Sequence, residues 1–570
     1  MLIDARSGAA GAEFACDLCV VGAGPAGIAI AQRLRGSGLS VILLESGGLN
    51  LELPTQNLYR GEIRGDDYFR LDACRWRLFG GSSNRWGGWC RPLEAVDFMR
   101  REWLPYSGWP IDAAALQPYY ADAARLFELP NARFDLAAWR DRMPEPMPLE
   151  GSDFENTVFQ HSPETNFGDS CRFDIRDADN VTAMLHANLV SIHLHPGSER
   201  VGSLRAAALG RGTFTIRPGA VVLAAGGIEN ARLLLASRSD RPGGLGNEYD
   251  MVGRFFMEHL HVPAGHIIAA TSSWNRQYFA KTIFSDVRLR GVITPTAAAQ
   301  ERYRLLSTSI AVEGARYSFG TPFVGWPPRL TFGPVRHYRM LRAGRWKGVV
   351  ERLKQAAEYA EGIPKKARTW NAARSARNLA RPMSGSERIY SLYFRSEQAP
   401  DPQNRVLLST RRDALGIPQT RLEWRVRPID MDAITGWAEV LDRDLRKRSM
   451  GRVVGPPQDW QRGIIGGPHH MGSTRMSADP RHGVVDAHCR VHSVDNLYVA
   501  GSSVFTTGGY ANPTFTLVTL ALRLADTLRN RLSTSGRLKA PVEHRMTDVP
   551  DSSRLAEASA VSVPDRSEPR

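Results

Sequence analysis

Residues 17–46 read DLCVVGAGPAGIAIAQRLRGSGLSVILLES, and five pieces follow one another in register within them. Asp17 to Val21 is an apolar run suited to a buried strand. Gly22 to Gly27 forms a turn, Ile28 to Arg35 has a helical pattern, and Ser40 to Leu44 is a second apolar run closed by Glu45. Glycines at 22, 24 and 27 let backbone approach a pyrophosphate at the helix N-terminus, and an acid after the second strand can hold ribose hydroxyls. A tight βα turn without a ligand would need no such acid. The stretch therefore predicts an α/β fold with a Rossmann-like dinucleotide site, contacted by Gly22, Gly24, Pro25, Ala26, Gly27, Glu45 and Ser46.

Composition frames this site. The 570 residues are 42% hydrophobic, enough for a large core and two or more domains. Met1 to Phe14 lacks a cationic start followed by an apolar run, and no stretch approaches the length of a membrane span. Six scattered cysteines suit a reducing cytoplasm. No second CxxC accompanies Cys16-x-x-Cys19, and no metal site is expected.

Three further stretches extend the site. Residues 77–88 (RLFGGSSNRWGG) have no power to form a core, and suit backbone wrapped closely around a ligand. Residues 219–227 (GAVVLAAGG) read as a buried strand before a helix at Glu229 to Ser237. Residues 469–532 open on HHMGSTRM, pass through a short strand at Leu497 to Ala500 closed by Gly501, and end in a Gly-rich loop and a long helix. Asn512 and Pro513 are a strong helix-start signal. A base, an Asn and a positive helix end brought together suit redox chemistry on an alcohol.

These pieces resemble the glucose-methanol-choline (GMC) oxidoreductases, bacterial sugar and polyol types in particular. The resemblance rests on VVGAGPAGIAIAQRL, LFGGSSNRWGG, AVVLAAGGIENARLLLAS, VGRFFMEHLHV and the C-terminal HHMGSTRM, DNLYVAGSSVF and ANPTFT, which span about residues 16–530. It implies an FAD-binding domain of the glutathione-reductase type, interleaved with an α+β substrate domain built on an antiparallel sheet. It also implies oxidation of a CH–OH group by hydride transfer to flavin N5. The H-x-x-G-[ST] pattern places the base at His469 rather than His470, and the second catalytic position falls on Asn512. The expected flavin contacts then add Gly81, Ser82, Ser83, Asn84, Trp86, Gly87, Gly88, Val190, Ala225, Gly501, Ser502, Asn512, Pro513 and Thr514. Relatives that hold FAD covalently use a His where this chain has Arg85, so non-covalent FAD is expected. His259 and His261 fall in a segment that is helical in the resemblance, which assigns them a structural or supporting role rather than a metal site.

The expected organisation is an FAD domain in three parts (14–96, 181–262 and 464–532), with substrate-domain parts at 97–180 and 263–463. Residues 390–406 begin with strand-like alternation and end in a Pro-rich turn. Within the second substrate part, residues 335–381 carry thirteen Lys or Arg against three Glu, +10 of the chain's +14. That segment reads as a basic helical insertion, either solvated or a docking surface for a peripheral membrane or an acidic partner. No binding fold accompanies the charge, so nucleic acid is not expected. A tail over 533–570 is predicted to be disordered. The expected substrate is a small alcohol or sugar, and the electron acceptor (oxygen, quinone or redox protein) is open. A lyase on the same fold and a flavoprotein acting only with a partner are the alternatives.

Overall fold

Leu18, Cys19 and Val20 have no exposed surface, as an apolar strand between two parallel neighbours requires. Their strand, Glu13–Val21, is central to an eight-stranded sheet in the computed structural model. The structure describes all residues except 164–165, 271–281, 285, 315–388, 456–460, 462–463 and 535–570. The basic insertion expected at 335–381 lies outside the described residues, as does the tail from 535.

On one side of the central strand lie Val41–Leu44 and Val181–Leu185, both parallel, with Leu2–Asp4 at the edge. On the other side Gly212–Leu223 runs parallel, and its last residues pair with Leu497–Val499. An antiparallel extension, Val201–Ala208 and Asn188–Leu194, completes the sheet. The helix Pro25–Arg33 follows the central strand. It starts three residues before the expected Ile28, because Pro25 has a pre-set φ and no N–H to leave unpaired at the first helical position. It packs on the long helix Pro513–Thr534.

Among the described residues a second sheet is antiparallel throughout and has nine strands. His259–Ala269 pairs with Ile389–Glu397, followed by Thr308–Gly314, Arg288–Pro295, Phe154–His161 and Trp89–Cys90. The helix Pro428–Lys447 covers this sheet, with Trp437 fully buried against Phe154. A small third sheet joins Arg405–Arg412 and Pro418–Trp424 to Gly61–Gly65. The chain is thus α/β in its dinucleotide-type part and α+β in the rest.

One expectation is corrected here. His259 and His261 lie on a strand, not a helix. The strand Ile389–Glu397 offers a ladder that places His259 opposite Glu397 and His261 opposite Arg395. The period of two then turns both imidazoles to the same face.

Candidate active site

Between the two large sheets lies a cavity of about 750 Å³, within the range of cofactor and ligand sites. Its floor is built by the central strand and turn. Gly24 precedes the Pro25–Arg33 helix with no side-chain cap, so the first amides of that helix remain available. Glu45 is anchored where the second strand ends. Its carboxylate accepts from the Ala23 N–H at 2.9 Å and the Gly47 N–H at 2.8 Å. Burial pushes its pKa up from the ordinary carboxylate value, and those two N–H groups oppose the rise.

The two other glycines have packing roles. A Cβ on Gly27 would lie 1.9 Å from the Gly22 carbonyl oxygen, so this position lets the helix press on the strand below the cavity. A Cβ on Gly22 would lie 2.7 Å from the Ala224 carbonyl oxygen, which fixes the turn against the neighbouring strand end.

The cavity lining includes Gly22, Gly24, Pro25, Ala26, Glu45 and Ser46, and also Gly81, Ser82, Ser83, Asn84, Trp86, Gly87 and Gly88. From the later stretches it includes Ala225, Gly501, Ser502, Asn512, Pro513, Thr514 and His469. Gly27 and Val190 are outside the lining. The strand Asn188–Leu194 has an irregularity between Leu189 and Ser191, so Val190 is the extra residue there and Asn188 and Leu189 border the cavity instead.

One group bordering the cavity has no signal in the sequence reading, the Glu229 cluster. Glu229 is buried and holds Arg75 at 3.0 Å, Arg77 at 2.8 Å and Arg232 at 3.1 Å. Arg77 also donates to the Ser46 hydroxyl at 2.8 Å, tying the 77–88 loop to the strand end. Arg85, at the position where a covalent histidine would sit, also borders the cavity, and burial pulls its pKa down to about 9.

At the far end of the cavity, His469 and Asn512 meet. The Asn512 Nδ2 lies 3.2 Å from the His469 Nε2. The Asn512 Oδ1 accepts from the Arg395 guanidinium at 3.0 Å. The His469 Nδ1 lies 2.9 Å from the His259 Nδ1, and the His259 Nε2 lies 3.2 Å from the Gly508 carbonyl oxygen. The antiparallel sheet and the loop before the long helix therefore meet here: one strand pair presents the His259 and Arg395 side chains, and the 508–512 loop presents the Gly508 carbonyl and the Asn512 amide.

Glu258 sets the backbone at His469. Its carboxylate accepts from the His469 N–H at 2.8 Å and the Gly467 N–H at 3.1 Å, and pairs with the Tyr68 hydroxyl. The neighbouring His470 faces elsewhere. Its Nε2 lies 3.6 Å from both Glu258 and the Cys74 sulfur.

All four imidazoles are held neutral. Burial takes His259 down to about 4 and His470 to about 3, with positive Arg395 adding to the effect at His259 and positive Arg75 at His470. It takes His261 and His469 well below the ordinary imidazole value. At His469 the neighbouring histidines and Arg395 push the same way. Glu258 is pushed up to about 7 by burial. The arrangement is a neutral ring nitrogen and an amide facing a cavity that continues to a dinucleotide-type turn.

Comparison with known proteins agrees with this geometry. A family model described as FAD dependent oxidoreductase matches residues 17–393, and one described as GMC oxidoreductase matches residues 400–521. The chain is 23% identical over 588 residues to 2-methyl-1,2-propanediol dehydrogenase of Mycolicibacterium austroafricanum, covering 91% of this chain and 96% of that protein. It is 23% identical over 564 residues to paromamine 6'-oxidase of Streptomyces fradiae, covering 89% of this chain and 90% of that one. Among solved structures, pyridoxine 4-oxidase from Mesorbium loti superimposes with a TM-score of 0.50 at 16% identity, covering 90% of this chain and 99% of that one. That last likeness concerns the fold.

Proposed function

This chain belongs to the FAD-dependent oxidoreductases and carries the GMC oxidoreductase domain, and from that premise we propose that it oxidises a CH–OH group of a polyol, sugar or related alcohol to the carbonyl. The observation that carries this reading is the 3.2 Å approach of the Asn512 amide to the His469 Nε2 at the cavity wall. Residues that would hold FAD are the Gly22–Ala26 turn for the pyrophosphate, Glu45 for ribose hydroxyls, and the 81–88 loop and Pro513 helix end around the ring. FAD supplies, when bound, a two-electron acceptor for hydride.

The chain's own residues handle the proton and the orientation. A hydroxyl seated between His469 and Asn512 donates to the ring Nε2 and accepts from the amide Nδ2–H. His469 takes the proton as hydride leaves the carbon, which is general-base catalysis by a neutral imidazole. Asn512 holds the oxygen in line, and Arg395 holds Asn512. Pro513 starts a 22-residue helix whose positive end faces the cavity, and negative charge building on the substrate oxygen is favoured there.

FAD is held without a covalent bond in this reading, since Arg85 offers no attachment atom. The six thiols are free, and the cytoplasm is the compartment they suit. No described helix is long and apolar enough to cross a membrane. Oxygen, a quinone or a redox protein completes the cycle.

The test is anaerobic flavin spectroscopy against a panel of polyols and sugars that includes 2-methyl-1,2-propanediol and paromamine, repeated with His469→Ala. Bleaching by one class, lost in the variant, supports the reading. Equal bleaching in the variant removes His469 from it, and a flavin that no alcohol bleaches removes the reaction.

A further inference from the structure

A chain of four polar contacts runs through the active site, and both of its ends have fixed polarity. At one end the Gly508 carbonyl can only accept, so the His259 Nε2, 3.2 Å away, carries a hydrogen. At the other end the Arg395 guanidinium can only donate, so the Asn512 atom 3.0 Å from it is the carbonyl oxygen and its NH₂ faces His469. That NH₂ donates to the His469 Nε2, which must then present a lone pair. The His469 hydrogen is left on Nδ1, where the bare His259 Nδ1 accepts it at 2.9 Å. Reasoned from either end, the contacts agree on one tautomer.

We propose that His259 is a positioning residue that holds His469 in the tautomer with Nδ1 protonated, leaving Nε2 bare toward the cavity as the base. The proposal rests on the reading of His469 as that base, but the tautomer itself can be measured without any substrate. Neutral imidazole can carry its proton on either nitrogen, and the partner of one nitrogen sets the state of the other. Without an acceptor at Nδ1, only the 3.2 Å contact from the Asn512 NH₂ opposes the other tautomer, and a share of His469 would carry its hydrogen on Nε2 and offer the substrate hydroxyl a donor.

His259 suits this task because its surroundings hold it in one state. It is fully buried, and its ring stands nearly perpendicular to the His469 ring, at 84° with centroids 4.9 Å apart, so one nitrogen lone pair points at the other ring's edge. Burial first, and the Arg395 cation after it, keep it neutral at working pH, so it does not become a donor on both nitrogens. His261, two residues on, has its Nδ1 3.2 Å from the Tyr393 hydroxyl, and its ring packs edge-on against His469 with centroids 6.0 Å apart.

The test uses flavin-loaded, ¹⁵N-histidine-labelled protein and two-bond proton–nitrogen correlation spectra, with His469→Ala and His259→Leu used to assign the two rings. Wild type is expected to show His469 protonated on Nδ1 and bare on Nε2. His259→Leu should move a measurable share of His469 to the opposite tautomer and slow flavin bleaching by the panel alcohol roughly 10- to 100-fold, the scale seen when a supporting partner of a functional histidine is removed. His259→Asn keeps an acceptor oxygen on a short side chain, and should restore both the tautomer and most of the rate. A wild-type His469 protonated on Nε2 overturns the proposal, and so does a His259→Leu protein with an unchanged tautomer. If His469→Ala still bleaches at the wild-type rate while the tautomer responds to His259, the base assignment fails and the positioning stands.

Discussion

His259 and His469 touch through their Nδ1 atoms at 2.9 Å, although 210 residues separate them: His259 opens a strand of the antiparallel sheet and His469 sits in the loop after Ile465–Gly466. Two ring nitrogens at that distance share one hydrogen, so the pair acts as one unit with a direction. The charged side chains nearest it are a cation and an ion pair. Arg395 lies next to Asn512, and Glu397 is committed to Arg101 by two bonds of 2.8 and 2.7 Å. The unit is therefore kept from protonating, which has consequences for its pH behaviour.

The rate of flavin bleaching should stay near its plateau as pH falls through the ordinary imidazole range. As the proposed base, His469 can take a proton only when its ring is neutral. Its pKa is lowered well below 6.5, by burial first and then by His259, His261, Arg395 and His470. The base form therefore persists in mild acid, and the acid limb of the rate lies below pH 6.5. Stopped-flow bleaching with a non-ionisable polyol between pH 5 and 8 checks this. A limb centred near 6.5 would mean that the ring is solvated in the working enzyme.

Two alanine substitutions in the glycine turn should separate folding from flavin binding. Gly27→Ala places a Cβ 1.9 Å from the Gly22 carbonyl oxygen, so helix and strand must part. A cost of about 1–3 kcal/mol or more is expected, with a lower melting temperature and a low flavin content. Gly24→Ala meets nothing within 4 Å, yet its methyl enters the turn that faces the cavity. Its apoprotein should melt like wild type while flavin affinity falls. Thermal melts with and without added FAD, together with the flavin-to-protein ratio, distinguish the two.

What could be read from the sequence was local. The strand, turn and helix from Asp17 to Arg35 are contiguous, and their apolar run and glycine spacing carry their geometry with them. His469 and Asn512 were legible as types near a turn and a helix start, but their 3.2 Å contact depends on how two distant segments pack. Val190 shows the limit at one residue: an irregular pairing between Leu189 and Ser191 shifts which side chains face the cavity, and no composition rule signals that. The helical expectation for His259 comes from the resemblance alone, and a short run such as MEHLHV suits either element. Its partner strand, 130 residues later, decides the matter. The alternation of His259 and His261 was the available signal.

Stability should fall in mild acid for a reason rooted in the same cluster. His259 and His261 are fully buried, and their pKa values are lowered, to about 4 and to well below the ordinary value. The unfolded chain takes up protons at these positions near pH 6.5, while the folded chain does not. It therefore binds more protons, and stability decreases as pH falls from about 6.5 toward 4. Glu258 acts in the opposite sense. Its folded pKa of about 7 lies above its ordinary value, so its contribution falls as pH rises toward 7. Urea melts at pH 7, 6 and 5 should show a falling midpoint, and replacing His261 with Gln should flatten that fall.

Arg101 should matter for stability first and for catalysis through the loop it steadies. Its guanidinium holds Glu397 with both side chains almost fully buried, at 1% and 0% exposure. Burial alone would push the Glu397 carboxyl up, but Arg101 holds it below its ordinary range. The same carboxylate accepts from the Gly509 N–H at 3.2 Å and the Ser307 N–H at 3.2 Å. Gly509 lies between Gly508, which faces His259, and Asn512. Arg101→Met leaves a buried carboxylate without its cation and should destabilise the fold by about 3–5 kcal/mol. Adding Glu397→Gln removes the stranded charge while keeping an oxygen for Gly509, so the double variant should recover much of that loss, with the two effects far from additive. Denaturant melts of the two single variants and the double variant measure the coupling. If the single Arg101 variant costs less than about 1 kcal/mol, the value of an exposed pair, water reaches this bridge and the 508–512 loop has another anchor.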